Sequence, residues 1–331
     1  MNVTVLASED AVLSLINSHF PNTHGEIVLA RGDDCAILEP ALELCVSTDL
    51  FLENVHFRRS YFTAGDIGYK ALAVNVSDLA AMGARPVGFQ LALGLPGDTT
   101  DAWLNEFFQG MAELAAAHNI CLTGGDISVA PQLHIGITVL GQRIDGCTLL
   151  RRGGSMPGDK IFVIGSLGLA RAGLYHLEEQ GRSALKEWPA ACAAHLRPKP
   201  LVDAGLMLAR AGEIARPPAL MDVSDGICRD LPRLLGGING SLGAKLAIPL
   251  TALAEEFLRH CAQLNLDPCL EACLGGEDYA LLGTCAQDML APLKAALPAL
   301  VCIGEVTREN RIYCHDQDIT AMIGFDHFAG K

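Results

Sequence analysis

Between Lys70 and Arg85 the chain reads Lys-Ala-Leu-Ala-Val-Asn-Val-Ser-Asp-Leu-Ala-Ala-Met-Gly-Ala-Arg. From Ala71 to Met82 only Asn75, Ser77 and Asp78 are neither small nor apolar, so the run predicts a helix, with Gly83 placed to close it. A helix apolar on all sides is a buried helix, so the fold has to wrap other elements around it. It must also compensate Asp78, because an ionised carboxylate in an apolar interior is costly without a cation, a metal or several donors. Asn75 stands three residues earlier and shares its face. Taken alone, a structural Asp bonded to a neighbouring loop or arginine meets the same requirement.

The rest of the composition narrows the choice. With 331 residues, half of them hydrophobic, the chain predicts two globular domains at roughly 150 residues each. A net charge of -14 excludes a general binder of nucleic acid or of anionic membrane surfaces. An anionic substrate would need metal ions. The twelve cysteines form no Cys-x-x-Cys pair and lie in apolar segments, which predicts reduced, mostly buried thiols in a cytoplasmic protein. Glu9 and Asp10 without a basic cluster predict no signal peptide, and no run of about 18 uncharged apolar residues predicts a membrane span.

Acidic residues recur at the ends of predicted strands. After an amphipathic helix over 8–20, strand-like runs at 35–39 and 42–48 flank Pro40-Ala41. A hairpin with a symmetric turn there sets Asp33 opposite Thr48 and beside Asp49, where two carboxylates repel unless a cation lies between them. Carboxylates with a hydroxyl or carbonyl suit Mg²⁺, although Gly32-Asp33-Asp34 also reads as a turn. A buried strand is predicted over 87–95, then a helix over 100–119 whose Trp103, Phe107, Met111 and Leu114 form a core stripe. A strand at 120–123 runs into Gly124-Gly125-Asp126, which alone is read as a turn, and 132–141 alternates as another strand.

Composition shifts near Leu150, and the expected division is 1–147 and 148–331. Arg152 is the candidate phosphate contact, since guanidinium matches phosphate oxygens bidentately; a solvated surface arginine is the plainer reading. A strand at 160–165 leads through Gly165-Ser-Leu-Gly168 into a helix, but neither a dinucleotide fingerprint nor a Gly-x-x-x-x-Gly-Lys-Ser/Thr loop occurs. Ala219 to Gly226 reads as a strand end, then a helix through Leu235; Ser224 and Asp225 suit a helix start, whereas Asp222 needs another explanation. Leu274-Gly-Gly-Glu-Asp-Tyr279 precedes a strand at 280–284, and Phe325-Asp-His-Phe328 closes the chain. The spacing from Asn75-Val-Ser-Asp78 to Gly-Gly-Asp126 resembles that from Asp222-Val-Ser-Asp225 to Gly-Gly-Glu277, which points to two α/β halves.

Six ordered motifs, Gly32-Asp-Asp-Cys-Ala36, Ser47-Thr-Asp49, Asn75 to Gly83, Gly124-Gly-Asp126, Asp222 to Gly226 and Gly275-Gly-Glu-Asp278, resemble the thiamine-monophosphate kinase family, within the superfamily of aminoimidazole ribonucleotide and selenophosphate synthetases. The resemblance spans about residues 8–328. It implies an α/β (α+β), two-domain fold, with an N-terminal mixed α/β domain whose sheet packs across a homodimer and a C-terminal α/β domain. It further implies Mg²⁺ at Asp33, Ser47, Thr48, Asp49, Asp78, Asp126, Asp222 and Asp225, with catalytic work falling to Asp33, Asp49, Asp78, Asp126 and Asp222. ATP is expected at Gly125, Asp126, Arg152 and Ser224, and thiamine monophosphate at His56, Glu277 and Phe325. Ile127-Ser128 and Ala30-Arg31 depart from the family pattern around the nucleotide loop.

The expected reaction is in-line transfer of the γ-phosphoryl group of ATP to thiamine monophosphate. A phosphate acceptor with a second pKa of about 6 is already anionic at neutral pH, so no general base is required. Charge neutralisation and positioning carry such a step. Another ATP-using synthetase of the superfamily and a non-catalytic ATP- and Mg²⁺-binding regulator are the alternatives. Cys35, inside the Gly-Asp-Asp strand, is the earliest cysteine, which argues against a selenophosphate synthetase.

Overall fold

The computed structural model describes residues 9–20, 25, 27–29, 36–211, 216–236, 241–322 and 324–325. The chain divides into two compact units, 1–79 with 85–143, and 80–84 with 144–331.

The first unit contains α1 (Glu9–His19), β1 (Ile27–Leu29), β2 (Ile37–Leu38), β3 (Leu44–Leu52), α2 (Ala64–Ala81), β4 (Arg85–Leu95), α3 (Asp101–Ala117), β5 (Cys121–Val129) and β6 (His134–Gln142). Its main sheet runs β3-β6-β4-β5, with β4 and β5 parallel and the other pairs antiparallel. α2 begins earlier than the apolar run suggests, and Gly83 follows its end at φ +61. Leu72, Val76 and Leu79 are buried, as an all-apolar helix requires. α2 and α3 approach closely: a Cβ on Gly68 would lie 2.0 Å from Phe107 O, and one on Gly110 would lie 2.0 Å from Gly65 O. Glycine at these positions lets two buried helices touch backbone to backbone. Phe107, Met111 and Leu114 of the predicted stripe are buried, and Trp103 stacks on Phe107 at 5.5 Å.

Two pairings differ from expectation. The hairpin between 35–39 and 42–48 is not formed: β2 pairs with β1, and β3 pairs with β6 over nine residues, so Thr48 faces Thr138. A two-residue β2 offers few ladder bonds, whereas β6 matches β3 along its length with the same alternation of buried positions. Asp33 and the rest of Gly32–Cys35 lie outside the described residues. Gly124-Gly125-Asp126 is not a turn either, because β5 continues through it to Val129 alongside β4. A Cβ on Gly125 would stand 1.9 Å from Leu91 O, so glycine is what permits that parallel ladder.

The second unit contains β7 (Lys160–Ile164), α4 (Leu169–Gln180), α5 (Pro189–Leu196), α6 (Val202–Ala211), β8 (Ala219–Asp222), α7 (Ile227–Leu234), β9 (Gly243–Leu246), α8 (Glu255–Leu264), α9 (Pro268–Leu274), β10 (Leu281–Cys285), α10 (Leu290–Ala296), β11 (Leu300–Thr307), β12 (Ile312–Cys314) and β13 (Gln317–Asp318). Its sheet runs β13-β12-β9-β11-β7-β10-β8, antiparallel except where β12 joins β9. β7 and β10 are central and almost wholly buried, so they read as continuous apolar runs. No disulfide joins the described cysteines, and all but Cys45 and Cys302 are buried. No described helix is long and apolar enough to cross a membrane. Ser8, the first residue of the helix expected over 8–20, and Asp326 to Phe328 lie outside the described residues.

Candidate active site

In the first unit, the α2 face carrying Asn75 and Asp78 meets β3. The Ser47 hydroxyl donates to Asp78 Oδ2 at 2.5 Å; the Asp49 N–H donates to Asn75 Oδ1 at 3.2 Å. Asn75 in turn donates to Ala71 O at 2.9 Å, which fixes its orientation. Ser47 and Asp49 reach the helix together because alternate strand residues share a face. Burial pushes the Asp49 carboxyl up to about 6, and the nearby charge of Asp78 adds to the shift. Such a shift marks a place short of positive charge. Two carboxylates and a hydroxyl form an all-oxygen donor set, which suits Mg²⁺ better than a softer ion. Among the described residues no three His, Cys, Asp or Glu side chains are grouped as around a metal, so the acids stand here as a pair.

The sheet register separates other predicted residues from this pair. Asp49 lies in one row with Ile137, Leu91 and Gly125, whose two middle members are buried. The next row, Leu50, Gly136, Ala92 and Asp126, faces the opposite way, with Leu50, Ala92 and Asp126 exposed. Asp126 takes a hydrogen bond from Ser128 Oγ at 3.2 Å on that face. The Thr48 hydroxyl is there too, 2.8 Å from Thr138 Oγ1, so only its carbonyl could serve on the Asp49 side. His56 follows the end of β3, where its Nδ1 accepts the Leu52 N–H at 3.0 Å and its ring stacks on Phe51.

In the second unit, the loop after β8 gathers several predicted residues. Asp222 is buried at the end of β8, opposite Leu281. The Ser224 and Asp225 N–H groups both donate to Asp230 Oδ2, at 3.0 and 2.9 Å. Burial pushes Asp230 up to about 6 despite those donors. Arg233 donates to Asp225 Oδ2 at 2.8 Å and to Asp230 Oδ1 at 3.0 Å, and Arg229 lies 3.5 Å from Asp225. The carboxylate of Asp225 therefore has arginine partners, and the Ser224 backbone is held through both its N–H and its carbonyl. Arg152 is exposed on a short segment pinned at both sides, through Arg151 O to Leu220 and through Gly153 N–H to Leu234 O.

The Gly-Gly-Glu-Asp motif is laced onto the same loop. Glu277 N–H donates to Ser224 O at 2.8 Å and Tyr279 N–H to Val223 O at 2.9 Å. Glu277 and Tyr279 both take positive φ, +62 and +48, which the lacing holds in place. The Glu277 carboxylate stands 3.0 Å from Nδ1 of buried His195. Asp278 turns the other way and accepts the Gly168 and Ala170 N–H groups at the start of α4; burial pushes it up to about 7 against those donors. Phe325 N–H donates to Asp225 O at 3.1 Å and its exposed ring follows. Asp225, Glu277 and Phe325 thus converge on one loop. Arg229 and Arg233 were not singled out from sequence, although their spacing of four and eight from Asp225 is a readable ladder. His195, from α5, carried no such signal.

Comparison with known proteins follows this geometry. Residues 32–142 match the family model "AIR synthase related protein, N-terminal domain". A thiamine-monophosphate kinase of Synechococcus elongatus is 35% identical over 310 residues, 90% of this chain and 91% of its own length. The crystal structure of thiamine-monophosphate kinase from Stenotrophomonas maltophilia superposes with a TM-score of 0.78 at 34% identity, covering 95% of this chain and 98% of that one. A further structure, AaThiL complexed with AMPPCP and TMP, has a TM-score of 0.74 at 26% identity and covers 99% of this chain and 100% of that one.

Proposed function

The chain belongs to the thiamine-monophosphate kinase family, and from that premise we propose how its residues carry the reaction. It is an enzyme that phosphorylates thiamine monophosphate with ATP. The observation that supports a metal-dependent mechanism most directly is the half-buried Asp49 and Asp78 pair, in which burial and the neighbouring Asp78 charge raise the Asp49 carboxyl to about 6. Ser47, Asp49 and Asp78 hold Mg²⁺ on this reading, with Thr48 serving through its carbonyl. Asp33, Asp126, Asp222 and Asp225 are the other residues expected to hold Mg²⁺ ions. Bound there, Mg²⁺ would offset the charge of two phosphate groups brought together.

The remaining roles belong to the chain's own atoms. Gly125, Asp126, Arg152 and Ser224 take the ATP: Gly125 admits close backbone approach, and Arg152 supplies a planar donor for phosphate oxygens. His56, Glu277 and Phe325 take thiamine monophosphate. Glu277 offers a carboxylate toward the cationic substrate, backed by His195. The acceptor phosphate attacks the γ-phosphorus in line and ADP leaves; rigid mounting on α2 and β3 keeps the reacting groups aligned. We assign ATP and Mg²⁺ binding and dimerisation to 1–147 and the second α/β domain to 148–331. The outward face of β3, with Leu44, Val46 and Leu50 exposed, supports a homodimer through that sheet. The place of action is the cytoplasm.

The test is a coupled assay with Mg²⁺, ATP and thiamine monophosphate. Thiamine diphosphate and ADP should form in equal amounts. Inorganic phosphate released without the diphosphate would overturn the reading in favour of a synthetase.

A further inference from the structure

A group of thiols in the second unit takes no part in the chemistry above. Cys273 of α9 and Cys314 at the end of β12 bring their sulfurs to 3.9 Å, with Cys273 donating. Cys228 of α7 also hydrogen-bonds Cys273. Beside them lies a 270 Å³ cavity lined by Asp267, Leu270, Cys314, His315, Asp316 and Gln317. Cys314, 2% exposed, is the one residue of the trio that lines this cavity. Cys269 is a near neighbour but is engaged elsewhere, donating to Ile248 O at 3.6 Å and lying 3.3 Å from His315 Nε2.

We propose that Cys314 and Cys273 form a peroxide-sensitive dithiol that closes to a reversible disulfide, with Cys314 attacked first and Cys273 resolving it. The hydrogen bonds of Cys273 lower Cys314 and Cys228 alike and raise Cys273 itself. Of the two lowered thiols, Cys314 is the one whose residue lines the cavity, which sets the order of attack. Asp267 and Asp316 are among the lining residues, so a small neutral oxidant such as hydrogen peroxide suits the cavity and an anionic disulfide does not. The Cys314 thiolate takes one oxygen as the O–O bond breaks and hydroxide leaves. The Cys273 sulfur then attacks the sulfenic sulfur, the S–O bond breaks, and water departs with the Cys273 proton. Two thiols and one peroxide give one disulfide and two waters.

The consequence reaches the substrate segment. Sulfurs at 3.9 Å must close to about 2 Å, and whatever part side-chain rotation does not supply draws α9 and β12 together. Cys273 lies two residues before Gly275, whose added Cβ would already be only 2.8 Å from Gly168 Cα. Little slack exists to absorb the movement, so it passes to Glu277. This consequence rests on the placement of thiamine monophosphate at Glu277; the disulfide itself does not.

The experiment treats the full-length protein with hydrogen peroxide, blocks remaining thiols and maps peptides by mass spectrometry. Trypsin with a Glu-specific protease cleaves after Glu271 and separates Cys269 from Cys273. A Cys273–Cys314 crosslink should appear in wild type and in Cys269→Ser, disappear with dithiothreitol, and be absent from Cys314→Ser. The KM for thiamine monophosphate should rise severalfold with the crosslink and recover on reduction. Unmodified Cys314, sulfinic Cys314 without a crosslink, or a crosslink of either thiol to Cys228 or Cys269 would each overturn the proposal, and a full Cys273–Cys314 crosslink with unchanged KM would overturn its consequence at Glu277. Absent kinase activity in the untreated protein would instead remove the functional reading, and the mapping would still decide the disulfide.

Discussion

The Ser47 hydroxyl donates to the Asp78 carboxylate at 2.5 Å, joining β3 to the buried helix α2. A hydrogen bond to a charged acceptor contributes about 1.5–3 kcal/mol. Here it also orients Asp78 beside Asp49, so the two acids are held ready for a cation.

Asp78→Asn should lower kcat by about 10²–10³, the scale of losing one preorganised electrostatic group. Asparagine keeps the acceptor for Ser47, so the urea midpoint should stay close to wild type. A collapse of the midpoint with proportionate loss of activity would return Asp78 to a purely structural role.

Gly125→Ala should cost about 2 kcal/mol or more, because its Cβ would stand 1.9 Å from Leu91 O within the β4–β5 ladder. Gly124→Ala is the control, with nothing within 4 Å of an added Cβ. Urea denaturation of the two variants side by side measures the difference.

Arg233→Met should destabilise the protein by about 2–3 kcal/mol. Asp230 is 0% exposed and would lose its cation. The guanidinium is 35% exposed, which keeps the loss at the lower end. Adding Asp230→Asn removes the stranded charge and should recover part of the stability.

Acid should weaken the fold through the buried pair His176 and His260, whose ring nitrogens are 3.1 Å apart. Burial lowers both, and in His260 the neighbouring His176 lowers it further. A histidine depressed in the fold gains protons first in the unfolded chain. Its stabilisation is therefore present above an ordinary value of about 6.5 and lost as pH falls below it. Asp278, raised to about 7, acts with the opposite sign, since the fold holds its proton more tightly. The urea midpoint of His260→Gln should therefore fall less than that of wild type between pH 7.5 and 5.5.

If the proposed homodimer forms through the outward face of β3, Leu50→Lys and Val46→Lys should shift sedimentation from dimer to monomer. Both side chains are more than half exposed, at 61% and 62%, so the monomer fold should survive the charges. Unchanged sedimentation would place the partner elsewhere.

Much of the scaffold was legible in the chain because local pattern and burial agree there. The 71–82 run had to be a buried helix and 87–95 a buried strand; the helix read over 100–119 forms as Asp101–Ala117, with the Thr100 hydroxyl accepting from Trp103 N–H as its cap. The acidic motifs were legible as types and spacings. Their partners were not. Two strand-like runs beside Pro40 suggested a hairpin, but a nine-residue match between β3 and β6 outcompeted it, and no local signal ranks partners that lie 90 residues apart. Gly124-Gly125-Asp126 looked like a turn because glycine permits one; only the passage of Leu91 made it a strand.

Residue identity alone determined that this chain carries more carboxylates at strand ends than a fold could tolerate without compensation. Tertiary structure decided which of them meet. Strand alternation and register put Asp49 with Asp78 and turned Thr48 and Asp126 to the other face, while the loop after β8 drew Asp225, Glu277 and Phe325 together. The physical reason is that composition sets the cost of burying a charge, but the cost is met only by groups that folding brings within hydrogen-bond distance.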